Sequence, residues 1–404
     1  MLSLSFPPRV GGREAYLHSI FSRLPSDEVV VLTPHEEGDV GYDRQSKMRI
    51  VRIRQERLYW FLHGRRKRLR WFISLAGLCL RERVGVVHCG VVLPDGMSGW
   101  LLKKVLGWPY IVYTYAKEIT EPLSMERLCR DRQRALVGAD RVVTISRHTR
   151  QELMRLGVDP ARIVVAYPGV DADHFRPDPE AGRRVRALYD LGKRPVLLTV
   201  ARLVPHKGHD RVLEALPLIL QRVPEAVYVI VGNGPDEERL RGLAHAHGVA
   251  ERVIFAVTVS DEDLPAYYNG ADLLVMPNRE ERGDVEGFGI VFLEANGCGK
   301  PVIGGRSGGA VDAIADGESG YLVDPYSPQA IAEAVMRLLT DPVLARRMGE
   351  AGRERAQREF SWEQAARQVE ALTAEVAAET RGTRVSSVHP ARLAHSCRLF
   401  MQRL

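Results

Sequence analysis

Apolar positions in this chain gather into short runs separated by longer stretches of helical periodicity. Leu2 to Phe6 is one such run, followed by Pro7, Pro8, Arg9, Val10, Gly11 and Gly12, a loop that yields near Arg13 to a helix pattern. Strand-like runs recur at Val29 to Leu32, Arg49 to Ile53, Val84 to Cys89, Tyr110 to Thr114, Arg141 to Ile145 and Ile163 to Ala166. Helical patterns lie between most of them, and Ser146 is placed to cap the helix that Gly157 stops. Strand, turn and helix in repetition predict a parallel sheet.

The second half repeats the scheme with runs at Pro195 to Ala201, Val227 to Val231, Val253 to Val257, Asp272 to Met276, Pro301 to Ile303 and Gly320 to Val323. Helical stretches follow at Pro328 to Thr340 and Val343 to Arg358, and Phe360, Ser361 and Trp362 open a last helix to about Ala378. The residues from 172 to 194 are rich in proline and charge, with a helical piece at Arg183 to Tyr189, and read as a connection. The predicted class is α/β with two Rossmann-like domains. Their expected bounds are 1–171 and 195–358, with a linker at 172–194, a helix at 359–378 and a basic tail at 379–404. A length of 404 residues fits two cores better than one.

Charge and cysteine usage narrow the setting. The net charge is +6, and Arg65, Arg66, Lys67, Arg68 and Arg70 stand between Leu58, Tyr59, Trp60, Phe61 and Trp71, Phe72, Ile73. Such mixing suits either a peripheral membrane contact through 57–73 or a solvated helix face. Nucleic acid is disfavoured, because no recognised binding module surrounds the patch. Five scattered cysteines show neither a disulfide framework nor metal-ligand spacing, so a cytoplasmic location is expected and no metal site. The apolar run Phe72 to Leu80 is about half what a bilayer span requires, and the N-terminus shows no signal-peptide pattern.

Candidate chemistry concentrates in the second half. Arg202 and Lys207 lie on the loop leaving the Pro195 to Ala201 strand and can converge on one anion before Gly208 opens a helix. The stretch GDVEGFGIVFLEANGCGK, 283–300, places Glu286 before a Gly287, Phe288, Gly289 turn and Glu294 on the helix that follows. Side chains on a helix lean toward its N-terminus, so both carboxylates can face one ligand. The helix N-terminus and its glycines suit a phosphate. An anion combined with hydroxyls is the profile of a nucleotide sugar. The opening loop lacks the three spaced glycines of a dinucleotide fingerprint, which disfavours a dehydrogenase.

Glu286 to Glu294 with the following ANGCGKPVI resembles the donor-site signature of the retaining glycosyltransferases of family 4, whose GT-B fold has two Rossmann-like domains facing across a cleft. The resemblance spans roughly residues 2 to 378. It implies that Arg202 and Lys207 hold the donor diphosphate, Glu286 the sugar hydroxyls and Glu294 the ribose. It further implies that the backbone at Val259 meets the base, and that Phe288, Gly289 and Ile290 fix the sugar through backbone groups. Gly11 and Gly12 would approach the donor phosphate or the acceptor, and the last helix would cross back to the first domain. No cofactor or metal is implied beyond the nucleotide-sugar substrate.

One segment departs from the family pattern, for Tyr115 and Ala116 stand where many members carry a histidine and a glycine, ahead of Lys117 and Glu118. Tyr115 and Glu118 remain acceptor or sugar contacts by position, and His88 and His148 are possible substitutes for the histidine. The expected activity is metal-independent hexosyl transfer with retention. Mannose from GDP-mannose is favoured by likeness to enzymes that mannosylate phosphatidylinositol and related lipids. A nucleotide-sugar-binding protein without transferase activity and a nucleotide-sugar epimerase are the alternatives.

Overall fold

A computed structural model describes residues 1–9, 11–54, 65–121, 125–257 and 259–381. The chain divides into two compact units. Unit 1 comprises Met1–Ile145, Thr149–Ala166 and the chain from Glu363 onward, and unit 2 comprises Ser146–His148 and Tyr167–Trp362.

In the first unit the chain runs α1 (Gly12–Phe21), β1 (Val30–Pro34), α2 (Asp39–Gln45), β2 (Arg49–Ile53), α3 (Arg65–Arg81) and β3 (Val87–Cys89). It continues with α4 (Met97–Leu106), β4 (Tyr110–Thr114), α5 (Lys117–Thr120), α6 (Glu126–Val137), β5 (Arg141–Thr144), α7 (Arg147–Arg155) and β6 (Ile163–Val165). All strand pairs are parallel, in the groups β1-β2 and β3-β4-β5-β6. The expected Leu2 to Phe6 strand shrinks to a bridge at Leu2 that joins the two groups. Its amide donates to His88 O at 2.7 Å and its carbonyl accepts from Gly90 at 2.8 Å, while the Ser3 amide reaches Leu32 O at 3.0 Å. Pairing stops there because the Leu4 amide turns to Asp95 Oδ2 at 3.1 Å. Pro7 and Pro8 then offer no amide to a neighbour.

Helix α16 (Trp362–Arg381) returns to this unit, burying Val369 and Val376. Gln368 Nε2 donates to Val165 O at 3.1 Å, and Arg141 pairs with Glu379 at 2.7 Å and with Glu375.

The proposed surface patch changes character here. Residues 55–64 lie outside the described residues, and Trp71 and Phe72 are buried in the core with Leu75, Leu102 and Trp108. Ile73 is 57% exposed. Trp71 and Phe72 lie about 100° apart on the helix, so both fit the broad apolar stripe continued by Leu75, Ala76 and Cys79, while Ile73 falls outside it, and the aromatic pair serves packing. Among the described residues no helix is long and apolar enough to cross a membrane. The tail beyond 381 is also outside the described residues.

Unit 2 contains α8 (Pro179–Leu188), β7 (Val196–Val200), α9 (His209–Arg222), β8 (Val227–Val231), α10 (Glu237–Ala246), β9 (Val253–Ala256), α11 (Leu264–Gly270) and β10 (Leu273–Met276). It ends with α12 (Ile290–Gly297), β11 (Val302–Gly305), α13 (Ala310–Ala313), β12 (Gly320–Val323), α14 (Pro328–Thr340) and α15 (Pro342–Glu359). The sheet order is β12-β11-β10-β7-β8-β9, every pair parallel. Leu197, Tyr228, Ile230, Leu273, Val275 and Ile303 of the strands pack with Leu213, Leu216, Ile331 and Val335 of the helices.

Three helices start by one device, an acceptor side chain followed by proline at the first helical position. Asp178 accepts from Glu180 and Ala181 ahead of α8, Ser327 from Ala330 ahead of α14, and Asp341 from Leu344 ahead of α15. The segment 172–194 is not a bare connection, because α8 packs on α11. The Asp178 amide donates to Asn269 Oδ1 at 2.8 Å, and a Cβ on Gly182 would lie 2.7 Å from Asn269 O. Proline and charge there mark a capped surface helix of the second unit.

Candidate active site

From central β7 the chain of the second unit proceeds through β8 and β9 on one side and β10 to β12 on the other. The loops leaving β7 and β10 therefore meet at the switch point of the sheet, where ligands of open α/β folds bind. Arg202 and Lys207 occupy the first loop, and Glu286 occupies the second. The two loops are stitched together. Gly208, at φ +80°, has no room for a Cβ, which would lie 2.2 Å from Pro277 O, and the Arg279 amide donates to His206 O at 2.9 Å. His206 Nδ1 stands 3.5 Å from Asp284 Oδ2.

Lys207 Nζ donates to Glu286 Oε2, joining two residues that are 79 positions apart. Burial alone would push the Glu286 carboxyl up, but the Lys207 ammonium, its hydrogen bond and nearby His206 outweigh this and hold it below its ordinary value. Glu286 is thus an ionised acceptor. Its loop rests on the glycine-rich turn after β11: the Gly309 amide donates to Glu286 O at 2.8 Å, and a Cβ on Gly309 would fall 1.9 Å from Gly287 O. Arg202 is exposed and has no ion-pair partner among the described residues.

Helix α12 opens at Gly289, which takes φ +87° as its N-cap. The Phe288 ring is buried, 5.7 Å from Tyr167 and 5.6 Å from Phe360, so the backbone ahead of the helix is pinned. The Phe288 amide points back to Glu286 Oε1 at 3.4 Å, and Ile290 begins the helix with the amide-rich end that favours anions. Glu294, in the second turn, accepts from Tyr268 Oη at 2.6 Å. Burial raises its pKa to about 7, the Tyr268 hydrogen bond opposes this and Asp261 adds to it. Val259 lies half-buried on the loop after β9.

In the first unit, Gly11 is the N-cap of α1, where a Cβ would stand 2.4 Å from Glu14 Oε2, while Gly12 opens on empty space. Glu14 accepts from Ser5 Oγ and from Arg13 Nη2 at 3.1 Å. Tyr115 follows β4 with its ring edge-on to Tyr16 at 5.8 Å, and its hydroxyl is buried with no hydrogen-bond partner among the described residues. Glu118 accepts from the Tyr115 amide, closing its own turn, and burial raises its pKa. His88 is a core residue bonded to Tyr113 Oη at 2.9 Å and Thr373 Oγ1 at 3.2 Å, with its pKa pushed down to about 3 by burial. It cannot substitute for the missing histidine as a sugar contact. His148 belongs to the second unit and its Nε2 is buried.

Several residues at the second unit's site carry no signal in the sequence. Tyr268 reads as an apolar helix position, and only the fold sets it against an acid 26 residues away. Asn278, fully buried, donates from Nδ2 to Ser307 O at 3.0 Å and accepts from the Gly305 amide at 3.2 Å, tying together the loops after β10 and β11. Asp210 and Arg279 form a bidentate pair beneath the site.

Residues 186–355 match the family described as Glycosyl transferases group 1, and residues 10–174 match Glycosyltransferase Family 4. The chain is 36% identical over 371 residues to the GDP-mannose-dependent alpha-(1-6)-phosphatidylinositol monomannoside mannosyltransferase of Mycolicibacterium smegmatis, covering 90% of this chain and 94% of that one. It is 30% identical over 367 residues to the GDP-mannose-dependent monoacylated alpha-(1-6)-phosphatidylinositol monomannoside mannosyltransferase of Corynebacterium glutamicum, covering 89% and 93%. Among solved structures, Anabaena Alr3699/HepE in complex with UDP shares the fold at a TM-score of 0.80 and 18% identity, over 93% of this chain and 98% of that one. Two matched domains, each with its parallel sheet, and relatives similar along nearly their whole length establish that the chain belongs to the family 4 glycosyltransferases of the GT-B fold.

Proposed function

We propose that this glycosyltransferase moves mannose from GDP-mannose to a hydroxyl of a phosphatidylinositol-mannoside lipid, with retention at the anomeric carbon and without a metal ion. The observation that carries the reading is the meeting of Lys207 with Glu286 at the switch point, next to the helix that bears Glu294. A donor of this class needs a cation for its diphosphate, a fixed carboxylate for its sugar hydroxyls and an acceptor for its ribose diol. Lys207, Glu286 and Glu294 supply these in that order, and exposed Arg202 adds the second cation. The names and near-complete coverage of the mannosyltransferase relatives support the donor and the lipid acceptor. A lipid acceptor in turn favours work at the inner membrane surface.

In the reaction the bond from the sugar's anomeric carbon to the diphosphate breaks and a bond to the acceptor oxygen forms on the same face. The acceptor's proton passes to the departing phosphate oxygen, so no separate base is required. Negative charge grows on the leaving diphosphate, and Lys207 and Arg202 stabilise that growth, which is the part of binding that raises rate. Glu286 fixes the sugar, and the pinned backbone at Phe288 and Gly289 keeps it in line.

Radiolabelled GDP-mannose incubated with the protein and mannosylated phosphatidylinositol should give labelled lipid and released GDP, and the Glu286→Gln variant should give neither. Anomeric configuration in the product tests retention, and full activity in chelator tests metal independence. Labelled lipid from UDP-glucose but not from GDP-mannose would refute the assignment of donor.

A further inference from the structure

Resting on the transfer reading above, we infer that Asp210 and Arg279 are a positioning pair that sets the approach of Lys207 to Glu286, and that they govern turnover rather than nucleoside binding. The Arg279 guanidinium donates from Nη1 to Asp210 Oδ1 at 2.8 Å and from Nη2 to Oδ2 at 2.9 Å. Both side chains are buried, 5% and 8% exposed. Asp210 lies three residues after Lys207 in the first turn of α9, and Arg279 lies seven residues before Glu286. The pair therefore ties together the two loops whose tips carry the proposed reacting contacts.

The surroundings leave this contact little freedom. Arg279 Nε reaches Glu281 Oε2 at 3.3 Å, and the Arg279 amide holds His206 O beside Lys207. Asp210 Oδ1 also accepts from the Arg211 amide at 3.0 Å, and Arg239 stands 3.6 Å from Oδ2. A planar fork on a carboxylate fixes angle as well as distance, which a lysine at the same place cannot do. Lys207 and Glu286 have no such fork between them, so their separation follows from the loops behind them. The proposed nucleoside end rests on a separate hydrogen bond, from Tyr268 on α11 to Glu294 on α12, and among the described residues neither of these hydrogen-bonds to Asp210 or Arg279.

A geometric error of about 1 Å at reacting groups costs roughly a hundredfold in rate, whereas nucleoside affinity should not feel it. The test uses the full-length enzyme, Arg279→Lys, and Asp210→Leu combined with Arg279→Met. A buried ion pair replaced whole by apolar residues of similar volume is commonly no less stable, so the double variant separates positioning from folding. Expected are a kcat for mannosyl transfer lowered about ten- to a hundredfold in both, a Kd for GMP within about twofold of wild type, and a melting temperature of the double variant close to wild type.

A double variant with wild-type kcat overturns the proposal. So does a loss of GMP affinity that tracks the loss of kcat, or a double variant that cannot fold, since either makes the pair a support of the whole unit. If the wild type transfers no sugar from any donor, the assigned function fails. The pair is then judged by whether Arg279→Lys weakens GDP while sparing GMP, and equal effects on both overturn it.

Discussion

Replacing Lys207 by methionine keeps the length of the side chain and removes the ammonium that neutralises Glu286. The two side chains are 19% and 11% exposed, so the pair sits between a surface bridge, worth about 0–1 kcal/mol, and a fully buried one, whose disruption costs roughly 3–5 kcal/mol. A loss of about 2–3 kcal/mol follows, which in a unit of this size lowers the melting temperature by roughly 4–12 °C. The deficit should depend on pH. In the wild type Glu286 is held below its ordinary value, so its contribution is present at neutral pH and lost only as pH falls through that lowered pKa. Without Lys207 burial is opposed only by His206 and the Phe288 amide, so the pKa moves up, and the unpaired buried carboxylate costs most at the higher pH, where more of it is ionised. Thermal melts of both proteins at pH 5 and pH 8 should show the larger deficit at pH 8. Turnover of GDP-mannose should fall about a hundredfold or more, the scale of one lost transition-state contact. Equal melting deficits at the two pH values, or a kcat within twofold of wild type, would refute the reasoning.

Other expectations use different parts of the site. Burial raises the Glu294 pKa to about 7, and in the proposed ribose contact the hydroxyls would donate to its ionised form, so calorimetric affinity for GDP should fall about tenfold per pH unit below that point and level off above it. Glu294→Gln should flatten the profile, and Tyr268→Phe should move its midpoint upward by removing the hydrogen bond that favours the carboxylate. Arg202 is exposed and unpaired among the described residues, so Arg202→Gln should leave the melting temperature within about 2 °C of wild type while weakening donor affinity about tenfold. Gly309→Ala would put a Cβ 1.9 Å from Gly287 O and displace the loop carrying Glu286, lowering both melting temperature and kcat. A variant with unchanged rate would show that the loop accommodates it.

The sequence carried the class of this fold because strand and helix are written in local periods. Tyr110 to Thr114, Val227 to Val231 and Gly320 to Val323 form strands over the residues their patterns predict, and α14 spans Pro328–Thr340 as expected, whereas α8 starts at Pro179, ahead of the expected Arg183. It also marked Lys207 and Glu286, because loop glycines beside a cation or an acid leave a local trace. Tertiary structure alone decided the rest. Trp71 and Phe72 read as a surface patch until the fold gave them a core, and Leu2 became a bridge because its pairing partners lie 30 and more residues away. His88 became a buried core residue rather than a sugar contact because Tyr113 and Thr373 converge on it from distant segments. Tyr268, Asn278 and the pairing of Asp210 with Arg279 belong to the same class. Each depends on which strand ends are neighbours at the switch point, and a local pattern of apolar and polar residues cannot encode contacts between loops tens of residues apart.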